Sequence, residues 1–162
     1  MSKFDIRSPT AADAAALAAV HTLCWQETYR GLVDDVILDS PTVAARREQT
    51  WMDILSHGAR GATTVAVAEV DRVIVGVACA GEARDDDATW QVELFVLYLQ
   101  ARYHGSGAGR ALLDAVVGDE PASLWVANPN PRAQAFYRKA GFVADGMVKD
   151  EGIPEIRMVR ST

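Results

Sequence analysis

The stretch Glu93-Leu94-Phe95-Val96-Leu97-Tyr98-Leu99-Gln100-Ala101-Arg102-Tyr103-His104-Gly105-Ser106-Gly107-Ala108-Gly109-Arg110-Ala111-Leu112-Leu113-Asp114-Ala115-Val116-Val117-Gly118 decides the fold. From Leu94 to Leu99 it is apolar, β-branched and aromatic; it then turns polar and passes glycines at 105, 107 and 109. It resumes with helical spacing through Leu112, Leu113, Val116 and Val117. This is a strand, a glycine loop and a helix. Such a loop leaves backbone N–H groups uncovered at a helix N-terminus, where the macrodipole favours an anion, and phosphate is the natural guest.

Two phosphate-binding patterns fail on spacing. Counted from Gly105, the P-loop pattern puts Arg110-Ala111 where Gly-Lys should fall. The dinucleotide pattern G-x-G-x-x-G puts Arg110 at its third glycine, and no compact βαβ unit opens the chain.

Outward from this stretch, the 162 residues read as one domain over 1–162, large enough to bury a core without disulfides or metal. A hydrophobic fraction of 49% without low-complexity runs indicates a globule. No window approaches a membrane span, and Met1 to Arg7 lacks the regions of a signal peptide, so a soluble, cytoplasmic protein is expected. Cys24 and Cys79 sit in apolar surroundings and read as buried thiols. His21, His57 and His104 are scattered, which gives a metal site no support. A net charge of −6 argues against nonspecific nucleic-acid binding.

In chain order, Phe4 to Arg7 is a first strand, and Thr10 with Asp13 starts a helix in the capping-box manner. Leu17, Val20, His21 and Cys24 form that helix's inward stripe, with His21 read as a core histidine. Trp25, Glu27, Tyr29 and Arg30 then mix aromatic and charged groups before Gly31, which suits a binding wall. Thr42 to Leu55 is a second helix, and residues 57–61 read as a mobile connection. Thr63 to Val70 and Val73 to Ala83 make a hairpin about Asp71-Arg72, and residues 84–88 read as a solvated turn. Trp90 to Leu99 is the fourth strand, Gly109 to Val117 its helix, and Ala122 to Ala127 the fifth strand. Asn130 caps a last helix with Pro131 at its first position, and Gly141 ends it. Phe142 to Met147 and Glu155 to Arg160 close the chain as paired strands. The expected architecture is an α/β domain with a mostly antiparallel sheet of about seven strands and about four helices.

That order, the glycine loop after the fourth strand, and Phe136-Tyr137-Arg138-Lys139-Ala140-Gly141-Phe142 resemble the GNAT superfamily of acetyl-CoA-dependent N-acetyltransferases over nearly the whole chain. The family loop is Gln/Arg-x-x-Gly-x-Gly/Ala, and His104-Gly105-Ser106-Gly107-Ala108-Gly109 fits it except at His104. The N-terminal third, with Trp25 and Thr28-Tyr29-Arg30-Gly31-Leu32, is similar to the branch that acetylates small amines, amino acids or antibiotics. The resemblance implies acetyl-CoA as donor cosubstrate, without metal, and transfer to a primary amine of a small molecule by direct attack. His104, Gly105, Ser106, Gly107, Ala108, Gly109 and Arg110 would hold the CoA pyrophosphate. Leu97, Tyr98 and Leu99 would splay from the fifth strand at a bulge, so that pantetheine adds to their edge. Asn130 would touch the pantetheine arm, and Tyr137 would serve as general acid to the departing thiolate.

The amine must lose a proton before it attacks, and Glu93, where some members carry a catalytic glutamate, is the expected base. Its other reading is a strand carboxylate turned to solvent. Trp25 and Tyr29 would wall the acceptor site. Trp125 stands where N-terminal acetyltransferases of the family carry a Glu, which counts against that subgroup. A protein N-terminus or lysine as acceptor, or a noncatalytic acyl-CoA-binding module, are the alternatives. The net charge and the lack of an apolar span lead us to expect no nucleic-acid or membrane partner, and the resemblance implies a homodimer.

Overall fold

The structure, a computed structural model, describes residues 3–56 and 63–161. The connection expected at 57–61 lies outside the described residues. The elements are β1 (Asp5–Arg7), α1 (Ala14–Tyr29), α2 (Asp35–Leu38), α3 (Pro41–Ser56), β2 (Thr64–Val70), β3 (Val73–Glu82), β4 (Val92–Leu99), α4 (Ala108–Val116), β5 (Ala122–Ala127), α5 (Pro131–Lys139), β6 (Val143–Glu151) and β7 (Ile153–Arg160). The short α2 has no apolar period to announce it; it forms because the Asp34 carboxylate caps Val36 N–H at 2.9 Å.

The strands form one sheet in the order β1-β2-β3-β4-β5-β7-β6. Every neighbouring pair is antiparallel except β4–β5, which is parallel. Alternation along the strands divides the buried residues into two cores. On one face Leu112 and Leu113 of α4, Tyr137 of α5 and Phe142 pack on Ala68, Ala78, Leu94, Leu124 and Met158. On the other, Leu17, Val20 and Cys24 of α1 and Trp51 of α3 pack on Val67, Val77 and Cys79. In that second core His21 is satisfied as expected: its Nδ1 accepts from Trp51 Nε1 at 3.3 Å, and its ring stacks on Tyr98.

Two readings of the chain are corrected here. The turn at 84–88 keeps Asp86 and Asp87 exposed, as expected of a solvated turn, but it is not free: Asp85 and Asp87 both turn back on Arg157. Asp87 grips Arg157 with two 2.7 Å bonds, and Asp85 lies 3.4 Å from the same guanidinium. Arg157 also donates to Asp145 at 2.8 Å and is buried in β7. The second correction is β6. It runs on to Glu151, with a register shift between Ala144 and Val148, and its residues are exposed along its length.

Close backbone approach decides one position near the parting of β4 from β5. A Cβ at Gly76 of β3 would lie 2.9 Å from the Tyr98 carbonyl oxygen, which belongs to β4 and cannot rotate away. At Gly81 the nearest atoms belong to the Phe95 ring, a side chain that can move. Gly76→Ala is therefore expected to displace the end of β4 and to cost about 1–3 kcal/mol in urea denaturation, with Gly81→Ala costing less. Equal costs would contradict the backbone clash.

His21 makes stability depend on pH. Burial, with Arg47 nearby, lowers its folded pKa from 6.5 to about 4, so the unfolded chain binds the extra proton between those values. The contribution is complete above the unfolded value and is lost as pH falls from about 6.5 toward 4, to a limit on the order of 3 kcal/mol. Denaturation curves should show this slope in the wild type and a shallower one in His21→Gln.

Candidate active site

β4 and β5 are paired for three residues only, Val92–Leu94 against Ala122–Leu124. The cause is on the other edge of β4. Cys79 pairs with Val96 and Ala80 with Leu94, so Phe95 is an extra residue and β4 bends there. Beyond the bend the two strands open a cleft of about 680 Å³, lined by Leu97, Tyr98 and Leu99 on one side and by Trp125, Val126 and Ala127 on the other.

The glycine loop closes one end of this cleft. Gly105 (φ 81°) and Gly107 (φ 92°) take left-handed conformations that side chains oppose. Gly107 is the N-cap of α4, whose first-turn N–H groups have no helical acceptor. Gly109 serves packing, since its Cβ would meet the Phe136 ring at 3.4 Å. Gly105, Gly107, Gly109 and Arg110 border the cleft, joined by Arg132 and Lys139 of α5. His104 leaves the cradle intact: its Nε2 lies 2.9 Å from the Leu99 carbonyl oxygen, so the ring folds back on the end of β4.

Three tyrosines border the cleft from different elements, Tyr29 of α1, Tyr98 of β4 and Tyr137 of α5. Burial raises the pKa of each hydroxyl, and their mutual proximity adds to the effect at Tyr98 and Tyr137. Each keeps its proton at neutral pH. Cys24 also borders the cleft, and burial, then Glu27, push its thiol up to about 12. Two carboxylates reach the cleft, Glu27 and Glu155. Glu27 accepts from Ala101 N–H at 3.0 Å, while no described residue hydrogen-bonds or ion-pairs with the Glu155 side chain. Glu155 precedes Ile156 and Met158, which pack toward α4 and α5, so by alternation it stands on the α1 face. Arg110 is paired with Asp114 at 2.9 Å, while Arg132 and Lys139 have no side-chain partner among the described residues; these cations come from the α4–α5 side of the sheet and the carboxylates from the α1 side.

A family model described as acetyltransferase (GNAT) family matches residues 25–142. The chain belongs to the GNAT family. The protein named "Probable N-acetyltransferase Rv2775" of Mycobacterium tuberculosis is 28% identical over 153 residues, covering 90% of this chain and 83% of its own length. "Uncharacterized N-acetyltransferase Rv2669" of the same organism is 35% identical over 119 residues, covering 65% of this chain and 74% of its own. Among solved structures, PaiA N-acetyltransferase of Thermoplasma acidophilum in complex with coenzyme A superposes with a TM-score of 0.79 at 19% identity, over 99% of both chains. As a GNAT protein this chain is an acetyl-CoA-dependent acetyltransferase.

In this GNAT fold most of the residues singled out in the sequence meet at one cleft. Leu97, Tyr98, Leu99, His104, Gly105, Gly107, Gly109, Arg110, Asn130, Tyr137 and Tyr29 all border it. Ser106 and Ala108 are not among its lining residues; Ser106 Oγ instead accepts from Ala108 N–H at 3.2 Å, bracing the turn. Asn130 also caps α5, accepting from Ala133 N–H at 3.2 Å.

Two expectations are corrected. Glu93 does not line the cleft and does not face solvent. It is 1% exposed, and its carboxylate is held by the Arg84 guanidinium and by Arg84 N–H. The Phe95 bulge changes the alternation beyond it, so Glu93 and the cleft-lining end of β4 do not share one regular strand face. Trp25 stands one layer back. It packs on Tyr29 at 4.7 Å between ring centroids and hydrogen-bonds the Tyr98 hydroxyl. Sequence reasoning missed Glu155, Arg132 and Lys139 and read Trp125 only as a missing Glu. Arg132 and Lys139 lie at the two ends of α5, each two residues from Asn130 or Tyr137, which was the signal for them; Glu155 and Trp125 carry no local signal, since strand pairing between β5 and β7 brings them to the cleft.

The His104 ring gives a measurable consequence. His104→Gln keeps a side-chain donor for Leu99, whereas His104→Ala removes it and loosens the end of β4. Calorimetry with CoA is expected to show near-unchanged affinity for Gln and a loss of about 1 kcal/mol, roughly fivefold, for Ala.

Proposed function

We propose that this enzyme transfers the acetyl group of acetyl-CoA to a primary amine of a small, cationic molecule, by direct attack and without a covalent enzyme intermediate. The observation that carries this reading is the charge arrangement of one cleft: a glycine cradle with Arg132 and Lys139 and the Asp114-paired Arg110 at hand, and on the α1 side Glu27 and Glu155, the latter without a hydrogen-bond or ion-pair partner among the described residues. The cradle and cations suit the phosphates of CoA. Carboxylates suit an ammonium group, which is the resting form of an alkyl amine at neutral pH.

The roles follow from chemistry. Glu155 draws the ammonium in and passes its proton toward solvent as the nitrogen–carbon bond forms. The edge of β4 from Leu97 to Leu99 offers backbone N–H to the thioester oxygen as it gains charge, a contact worth roughly 3–4 kcal/mol where such donors have been deleted. The carbon–sulfur bond breaks, and Tyr137 donates a hydrogen bond to the leaving thiolate. Its hydroxyl has no hydrogen-bond partner among the described residues and keeps its proton. The thiol of Cys24, pushed up to about 12, is not a nucleophile at neutral pH, which supports direct attack.

Calorimetry and a coupled assay of CoA release over amino acids, polyamines and aminoglycosides test the reading. Tyr137→Phe is expected to lower kcat by about a hundredfold with acetyl-CoA affinity intact. Glu155→Gln is expected to raise the KM of the amine. Turnover confined to peptide amines would overturn the small-molecule acceptor, and no turnover with CoA bound would leave a binding module.

A further inference from the structure

Trp125 is the large side chain that β5 sends into the cleft, on the same sheet face as Glu155. Its indole is fixed more firmly than packing requires. The Nε1–H donates to Asp85 Oδ2 at 3.1 Å, and Lys149 Nζ lies 3.9 Å from the ring centroid. Asp85 comes from the β3–β4 connection, forty residues away in the chain, and faces the Arg157 guanidinium at 3.4 Å. Arg157 is itself immobilised by Asp87 and Asp145, and Trp90 ties the same connection to β5 by donating to Ser123 Oγ at 2.7 Å.

A cluster of this kind, with a buried guanidinium and carboxylates from Asp85 to the half-exposed Asp87 around it, adds little stability over an apolar replacement, because desolvation of Arg157 offsets the attraction; what it does add is a defined geometry. Among the described residues of this cluster, the Trp125 indole, held by Asp85 and with Arg157 Cζ 5.8 Å from its ring centroid, is the one that borders the cleft.

We propose that Asp85 is a positioning residue for the acceptor: anchored by Arg157, it holds the Trp125 indole as a fixed wall against which the carbon skeleton of the amine packs. The inference rests on the acceptor site proposed above and goes beyond it by assigning the acceptor an apolar body beside its ammonium group. A rigid indole discriminates such bodies by shape, whereas a freely rotating one accommodates them at an entropic cost.

The test uses phenethylamine as probe, with the full chain saturated with CoA for binding and with acetyl-CoA for turnover. The four indole N–H signals are followed by 1H–15N NMR, Trp125 being assigned through Trp125→Phe. Phenethylamine should shift the Trp125 signal in the wild type. Asp85→Ala should move that signal in the free protein and raise the KM of phenethylamine about tenfold while leaving the KM of acetyl-CoA within about twofold. Asp87→Ala removes a carboxylate from the same arginine, which lies 5.8 Å over the Trp125 ring and keeps Asp145, while leaving the indole's hydrogen bond to Asp85 in place. It serves as the control for general loosening and should leave both readouts near wild type.

The proposal is overturned if Asp87→Ala matches Asp85→Ala, if the Trp125 signal ignores Asp85→Ala, or if phenethylamine leaves the wild-type signal in place. If phenethylamine moves the signal and Asp85→Ala abolishes that response, but no amine is acetylated, the positioning role stands and the catalytic reading falls.

Discussion

The structure depends on the parting of β4 from β5. Parallel neighbours within a sheet ordinarily satisfy each other's backbone groups, and buried N–H and C=O groups left unpaired are costly. Here the ladder stops after three residue pairs. The Phe95 bulge turns β4 aside on its β3 edge, and Gly76 lets β3 follow it closely enough for the antiparallel ladder to persist to Leu99. The strain of divergence is thus taken up on one side, and the unpaired edge is left on the other. An edge held open in this way is a template for an extended partner with its own amide groups.

Much of this was legible in the sequence because it is local. The β5 strand, the Asn130 cap and the strand–loop–helix over residues 94–117 follow from period, turn chemistry and capping within a few residues of each other. The bulge was expected from the family resemblance, not from composition, since Phe95 is as apolar as its neighbours. The α1 helix was found, yet its reach to Tyr29 was not, because Trp25 to Tyr29 mixes charge with aromatic rings and masks the period.

What was not legible is what pairs distant charges. Asp85, Asp86 and Asp87 read as a hydrated turn by every local rule, and it takes Arg157, seventy residues on from Asp87, to pair with two of them and draw Asp85 in from solvent. Arg160 shows the same thing on the opposite face. It is buried against the Phe142 ring and donates to the carbonyl groups of Ala140, Gly118 and Glu120, tying the ends of α4 and α5 to the closing strand. Glu93 is the converse case. Its position on the strand suggested chemistry, and a partner nine residues away, Arg84, occupies it instead.

The titratable groups around the cleft divide the chemistry between them. Tyr29, Tyr98 and Tyr137 are all pushed upward by burial, and at Tyr98 and Tyr137 each phenol discourages ionisation of its neighbour. Such a group stays protonated, so it can donate a hydrogen bond to a departing thiolate, which is a weaker base than a phenolate, but it cannot take a proton from an ammonium. The thiol of Cys24 is barred for the same reason. In the proposed reaction, proton removal falls to a carboxylate or to water; with Glu93 held by Arg84 and Glu27 engaged at Ala101, Glu155 is the cleft carboxylate that has no hydrogen-bond or ion-pair partner among the described residues. The α5 helix therefore brings a protonated phenol and β7 a carboxylate, on either side of the gap that the bulge in β4 opens.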